Sequence, residues 1–271
     1  MKTNQIVNYQ WALLLMATLT MLWGCSSDSD GDNDNGSKQN FTQTPVSQKP
    51  TWKIDWSSDV AAPDWQDPDP TKYECSMNLL YELDEETAPF STDDDMMAVF
   101  MNGECRGVSY PNRMSDGVVA FLLHVKGSSE ETADQMELRY YCAGLRHMTI
   151  TYGVPPFIPN YLMDETYESD LNIGNGSQKY PLLTELSVLL PEKLPFTVYD
   201  DDMLAVFVGD ECRGIGSYDP KLFTGWRVNV YSAHEDEEAY VRYYSAQNDC
   251  IYTFPKTFLL NGMLQFEEIT F

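Results

Sequence analysis

From residue 51 onward the chain alternates short apolar runs with turn signals. MMAVFM (96–101), FLLHV (121–125), LRYY (138–141), MLAVFV (203–208), WRVNV (226–230) and VRYY (241–244) are separated by Gly, Asn, Asp and Pro. Runs of this length predict β-strands, and Pro, Gly and Asn interrupt every window that could hold a helix. The predicted class is all-β, in the form of sandwich modules.

MMAVFM is apolar throughout, which predicts a strand covered on both faces. Asn102-Gly103 follows it, the pair most favoured in a two-residue hairpin turn because both central residues need positive φ. Residues 96–101 and 104–108 are therefore expected to form a tight hairpin. Residues 203–208 and 211–215, joined by Gly209-Asp210, should form its twin. Regular pairing would set Phe100 opposite Cys105 and Ala98 opposite Gly107 on the core face. Val99 would then oppose Arg106, and Met101 would oppose Glu104, on the other face.

The second hairpin is a copy of the first. DDDMMAVFMNGECRG (93–107) returns as DDDMLAVFVGDECRG (200–214), 107 positions later. FLLHV then matches WRVNV at an offset of 105, and LRYY matches VRYY at 103, as expected when loops shorten between retained strands. Two copies of one domain of about 100 residues follow. The expected division is 51–165 and 166–271, with 157–180 finishing the first module and linking it to the second.

The N-terminal pattern is different. Lys2 precedes an apolar run from Trp11 to Trp23, 13 residues long, and a helix crossing a bilayer needs about 20. Leu22-Trp23-Gly24-Cys25 resembles a bacterial lipobox. Residues 1–24 are thus expected to be a lipoprotein signal peptide, with Cys25 as the lipid anchor. The acidic stretch after Cys25 resembles the export signal of surface lipoproteins of Bacteroidetes. It implies an outer-membrane, cell-surface location, with the periplasmic face as the alternative. Residues 25–50 are expected to be a flexible tether, since like charges and low hydrophobicity bury little surface. A calcium loop starting at Asp30 would lack Gly at its sixth position and would place Phe41 where a bidentate Glu belongs.

The formal charge is −25, with 42 acidic against 17 basic residues. That balance repels nucleic-acid phosphates and anionic membrane surfaces.

The acidic triplet, the AVF strand and ECRG are preceded by Trp65, Asp69-Pro70, Tyr73 and Ser76-Met77. Together they are similar to a repeat of exported Bacteroidetes proteins, over roughly 65–150 and 180–255. The resemblance implies multi-module surface β-sandwich proteins, most without an assigned activity. The second copy lacks the leader, having TELSVLLPEKL, so a role for leader tryptophans is expected in the first module only.

Several residue sets could carry chemistry. Asp93, Asp94 and Asp95, repeated as Asp200, Asp201 and Asp202, are candidate Ca²⁺ ligands. The competing role is a turn in which Asp bonds nearby amides. Arg106 and Arg213 could present a fork to a ligand carboxylate or pair with a neighbouring acid. Trp52, Trp56, Trp65, Tyr110 and Tyr218 are candidate glycan-stacking residues, or else they cover an open end of the sandwich. Cys105 to Cys142 spans 37 positions and Cys212 to Cys250 spans 38, which suggests one disulfide per module with Cys75 free. Buried free thiols fit the same spacing. His124, His147 and His234 fall into no catalytic motif. The expected function is non-catalytic binding of a glycan or protein at the cell surface, without a cofactor beyond the candidate Ca²⁺. The alternatives are a structural or assembly subunit, such as an adhesin or fimbria-like accessory protein, and a glycan-active enzyme.

Overall fold

The computed structural model describes residues 41–131, 135–152, 154–161, 168–190, 196–219, 225–263 and 265–268. The expected signal peptide, Cys25 and the acidic stretch after it lie outside the described residues. A short strand, β1 (Thr42–Pro45), precedes the first copy. That copy is built from β2 (Cys75–Leu83), β3 (Met96–Met101), β4 (Glu104–Ser109), β5 (Asn112–Arg113), β6 (Val119–Gly127), β7 (Met136–Cys142), β8 (His147–Tyr152) and β9 (Glu168–Leu171). The second contains β10 (Leu182–Leu189), β11 (Met203–Val208), β12 (Glu211–Asp219), β13 (Gly225–Ser232), β14 (Glu237–Ser245), β15 (Cys250–Leu260) and β16 (Gln265–Glu268). The protein is an all-β sandwich protein, as the strand pattern predicts.

In the first copy a sheet ordered β4-β3-β7-β8 faces a sheet ordered β5-β6-β2-β9. The second copy repeats the pairings. β10 runs antiparallel to β13 and parallel to β16, as β2 does to β6 and β9. β11 lies between β12 and β14, as β3 lies between β4 and β7. One difference has a local cause. β4 stops before Pro111, which has no amide to give a ladder. Tyr218 stands at the matching place, 107 positions on, so β12 continues and pairs with β13. The second copy is thereby fused into one sheet ordered β1-β15-β14-β11-β12-β13-β10-β16.

Two expected boundaries change. β9 pairs with β2, and Ile173 and Tyr180 join the first core, so the first module runs past 165 and ends before β10. β1 lies within the stretch expected to be a tether, yet it pairs with β15 of the second module, Thr42 opposite Thr253. Its neighbour Phe41 packs on Tyr252 and Phe254 at centroid distances of 5.5 and 6.1 Å, and this apolar contact fixes the strand.

The core follows the strict alternation of β2, in which Cys75, Met77, Leu79, Tyr81 and Leu83 all point inward. Burial of each such side chain contributes about 1.5–3 kcal/mol.

The hairpins turn where expected, with φ of 51° at Asn102 and 78° at Gly103, and 58° at Gly209. Their register is only half as expected. Met101 faces Glu104 and Phe100 faces Cys105, but Val99 faces Gly107 and Ala98 faces Val108. A bulge at Arg106 displaces the pairing by one residue, and the second copy has the same bulge at Arg213. The faces are correspondingly reversed. Met97, Val99 and Met101 enter the core, while Phe100 and its twin Phe207 lie on the outer face of the sheet. The glycine of ECRG has a steric reason. A Cβ on Gly107 would stand 2.7 Å from the His124 carbonyl oxygen, and one on Gly214 would stand 2.6 Å from that of Asn229.

Candidate functional site

The two acidic triplets divide into different roles. Asp95 is fully buried and accepts hydrogen bonds from the Tyr140 hydroxyl at 2.7 Å, the Ala143 amide at 2.8 Å and the Thr92 hydroxyl at 3.1 Å. Asp202 accepts from the Tyr243 hydroxyl at 2.6 Å and from the amides of Ala246 and Tyr199 at 2.7 and 3.0 Å. Burial, and then the carboxylate alongside, raises the Tyr243 phenol well above its usual range. Asp93, Asp94, Asp200 and Asp201 face solvent. The third Asp of each triplet therefore ties the strand entrance to the turn after the LRYY or VRYY strand. Among the described residues, no group of three or more His, Cys, Asp and Glu side chains is placed to hold a metal.

The bulged arginines are latches between strands. Arg106 is 4% exposed and grips Glu131 with two nitrogens, at 2.7 and 3.0 Å. Its guanidinium lies over the Tyr73 ring at 4.2 Å. Hydrogen bonding to Arg106 holds the Glu131 carboxyl down at about 2. Arg213 pairs with Glu211 at 2.9 Å and Glu237 at 3.2 Å, and lies over Tyr180 at 4.2 Å. Tyr180 stands 107 positions after Tyr73, so the offset of the hairpin already marks it as the twin of a leader residue.

The three candidate tryptophans take a covering role, one of the two expected for them: Trp56 is buried, and Trp52 and Trp65 are half-buried. They belong to an extended segment that crosses both modules. Trp52 stands edge-on to Phe207 at 5.7 Å, and Trp65 stands edge-on to Phe100 at 5.8 Å. The guanidinium groups of Arg139 and Arg242 lie over these twin rings, at 3.8 and 4.3 Å. A tryptophan thus serves each module, and the second receives its ring from Trp52, ahead of every strand of the first copy. Trp56 is 8% exposed, wedged among His147, Tyr180 and Tyr231 at 5.9, 5.7 and 4.9 Å. Tyr110 is 59% exposed, whereas Tyr218 packs against Trp226 at 5.4 Å. The two tyrosines are therefore not equivalent.

Cys75, Cys105, Cys142, Cys212 and Cys250 are all free thiols, so the expected pairings Cys105–Cys142 and Cys212–Cys250 are not made. The sheet forbids them. Cys105 sits opposite Phe100 while Cys142 lies beyond the other end of β3, on the strand past it. Two strand spacings alone come to about 10 Å, beyond the ~7 Å Cα limit for a disulfide. Cys212 and Cys250 are kept apart in the same way by β11 and β14.

A cleft of about 920 Å³ lies between the modules. One wall is the outer face of the second module, with Ile215 and Ser217 on β12 and Arg227, Asn229 and Tyr231 on β13. The other consists of the Asp84-Glu85-Glu86 turn, Asn172 and Asn175 of the first module, with Ile54 from the crossing segment. Asp84 is held by the Thr87 amide and the Asn172 carboxamide at 2.8 and 2.7 Å. Burial, then the charges of Glu86 and Asp84, raises the Tyr231 phenol above its usual range. None of these residues stands out in a motif. Their signal is a contrast: FLLHV places Leu122 and His124 where WRVNV places Arg227 and Asn229, so the second copy alone has a guanidinium and a carboxamide there.

No protein-family model matches the chain, and no curated protein sequence matches it.

Proposed function

We propose that this chain is a non-catalytic binding protein of the cell envelope, tethered through Cys25, whose two modules hold a glycan in the cleft between them. The observation that carries the reading is the composition of the cleft. Carboxylates and carboxamides stand on one wall; a guanidinium, a hydroxyl and a carboxamide stand on the other. Such a set can donate to and accept from several hydroxyl groups at once. The three histidines do not line the cleft, and Asp84 is engaged by protein donors, which supports binding over catalysis. The Bacteroidetes-like leader supports a surface location.

An assembly subunit that adds strands to a neighbour needs free sheet edges. Here the 176–178 turn bonds to β8 and Asp67 caps the Val108 amide on β4, while β1, β16, β5 and β9 end their sheets, so assembly by strand addition is the second reading.

Screening the full chain, purified in detergent, against a glycan array tests the reading. Bound glycans should be lost on Asn229→Ala, which removes an exposed side chain without changing the melting temperature. Retention of every bound glycan by that variant and by Glu85→Ala would refute the cleft as the site.

A further inference from the structure

We infer that the glycan taken by this cleft bears a carboxylate, received by Arg227. This inference rests on the cleft being the binding site. The chain has seven arginines. Six pair with acids: Arg106 with Glu131, Arg113 with Asp93, Arg139 with Glu137, Arg146 with Asp59, Arg213 with Glu237 and Arg242 with Asp210. Arg227 has no such partner among the described residues, although acids outnumber basic residues 42 to 17. It is exposed, and it is the arginine that lines the cleft.

Its neighbours complete a receptor for an anion. Arg227 and Asn229 alternate outward along β13, and Ser217 is the direct cross-strand partner of Arg227 on β12. A guanidinium fork flanked by a hydroxyl and a carboxamide matches a planar carboxylate with charge-assisted hydrogen bonds. The facing Glu85 and Glu86 can only accept, so they suit sugar hydroxyls and leave no second anion site. The preferred ligand therefore ends in one acidic sugar. A polyanion would be repelled by the formal charge of −25, while a single carboxylate needs only local compensation, since charges beyond about 8 Å are screened at physiological salt.

The test uses the full chain in detergent, with titration calorimetry of oligosaccharides ending in sialic or glucuronic acid and of their methyl esters. The acids should bind at least about tenfold more tightly than the esters. Arg227→Gln should abolish that preference at unchanged melting temperature, and Arg227→Lys should keep part of it. Equal binding of acid and ester by the unsubstituted chain would overturn the carboxylate inference; if Asn229→Ala still weakened both, the cleft reading would stand. Failure of every acid-terminated probe to bind would also overturn the inference. Binding that no cleft substitution alters would remove both.

Discussion

Trp56 stands edge-on to Tyr231 with ring centroids 4.9 Å apart. A residue of the N-terminal crossing segment and a residue of the second module thus meet within the first module's core. The contact makes the segment a structural part of the tandem, and Lys179 and Tyr180 reinforce it by bonding to the Asp55 carbonyl. Trp56→Ala should cost about 3–5 kcal/mol in urea unfolding. A loss below 1 kcal/mol would show that the seam carries little stability.

Tyr140→Phe removes the donor that Asp95 receives at 2.7 Å in a buried site. The expected loss is about 1.5–3 kcal/mol, as for a hydrogen bond to a carboxylate, and Tyr243→Phe should match it. Added Ca²⁺ should restore neither variant. Recovery of the melting temperature by Ca²⁺ would return the triplets to the metal-binding role.

Arg106→Ala should cost about 3–5 kcal/mol because it leaves Glu131 without its bidentate partner. Arg106→Lys should recover less than half of that, since an ammonium has neither the fork nor the flat face that covers Tyr73. Full recovery with Lys in equilibrium unfolding would mean that charge alone makes the latch.

Stability should fall on acidification in two overlapping windows. His147 is fully buried, and that burial pushes its pKa from 6.5 down to about 4. The unfolded chain binds that proton first, so this contribution is intact above pH 6.5 and is lost as pH falls towards 4. Glu131, lowered from 4.5 to about 2, contributes above pH 4.5 and loses that contribution as pH falls towards 2. Melting temperatures measured from pH 7 to 3 should decline through both windows. In His147→Gln the decline above pH 4.5 should flatten; an unchanged slope would clear His147 of the effect.

The five described cysteines should all react with iodoacetamide in denaturant without reductant. In the native protein Cys142 and Cys212 should react slowly, because burial pushes each thiol up to about 11. Peptide mapping that finds only three reactive thiols in denaturant would reveal a disulfide.

The duplication, the hairpins and the β class were legible because they depend on local order. Positive φ at Asn102-Gly103 and the alternation of β2 need no distant partner. The bulge at Arg106 was hidden, because its cause is remote: the guanidinium must turn from the ladder to reach Tyr73 and Glu131. The role of the tryptophans was hidden for a similar reason. An aromatic ring in a segment without periodicity looks alike whether it faces a sugar or covers Phe100 and Phe207.

The amino-acid order alone thus determined two copies of one strand set and their turns, since both follow from short-range geometry written twice along the chain. Only the tertiary structure decided how the copies sit together, which module each tryptophan serves, which polar residues are buried, and that Arg227 has no acidic partner among the described residues. Burial and pairing depend on residues brought close across more than a hundred positions, and no local pattern encodes that distance.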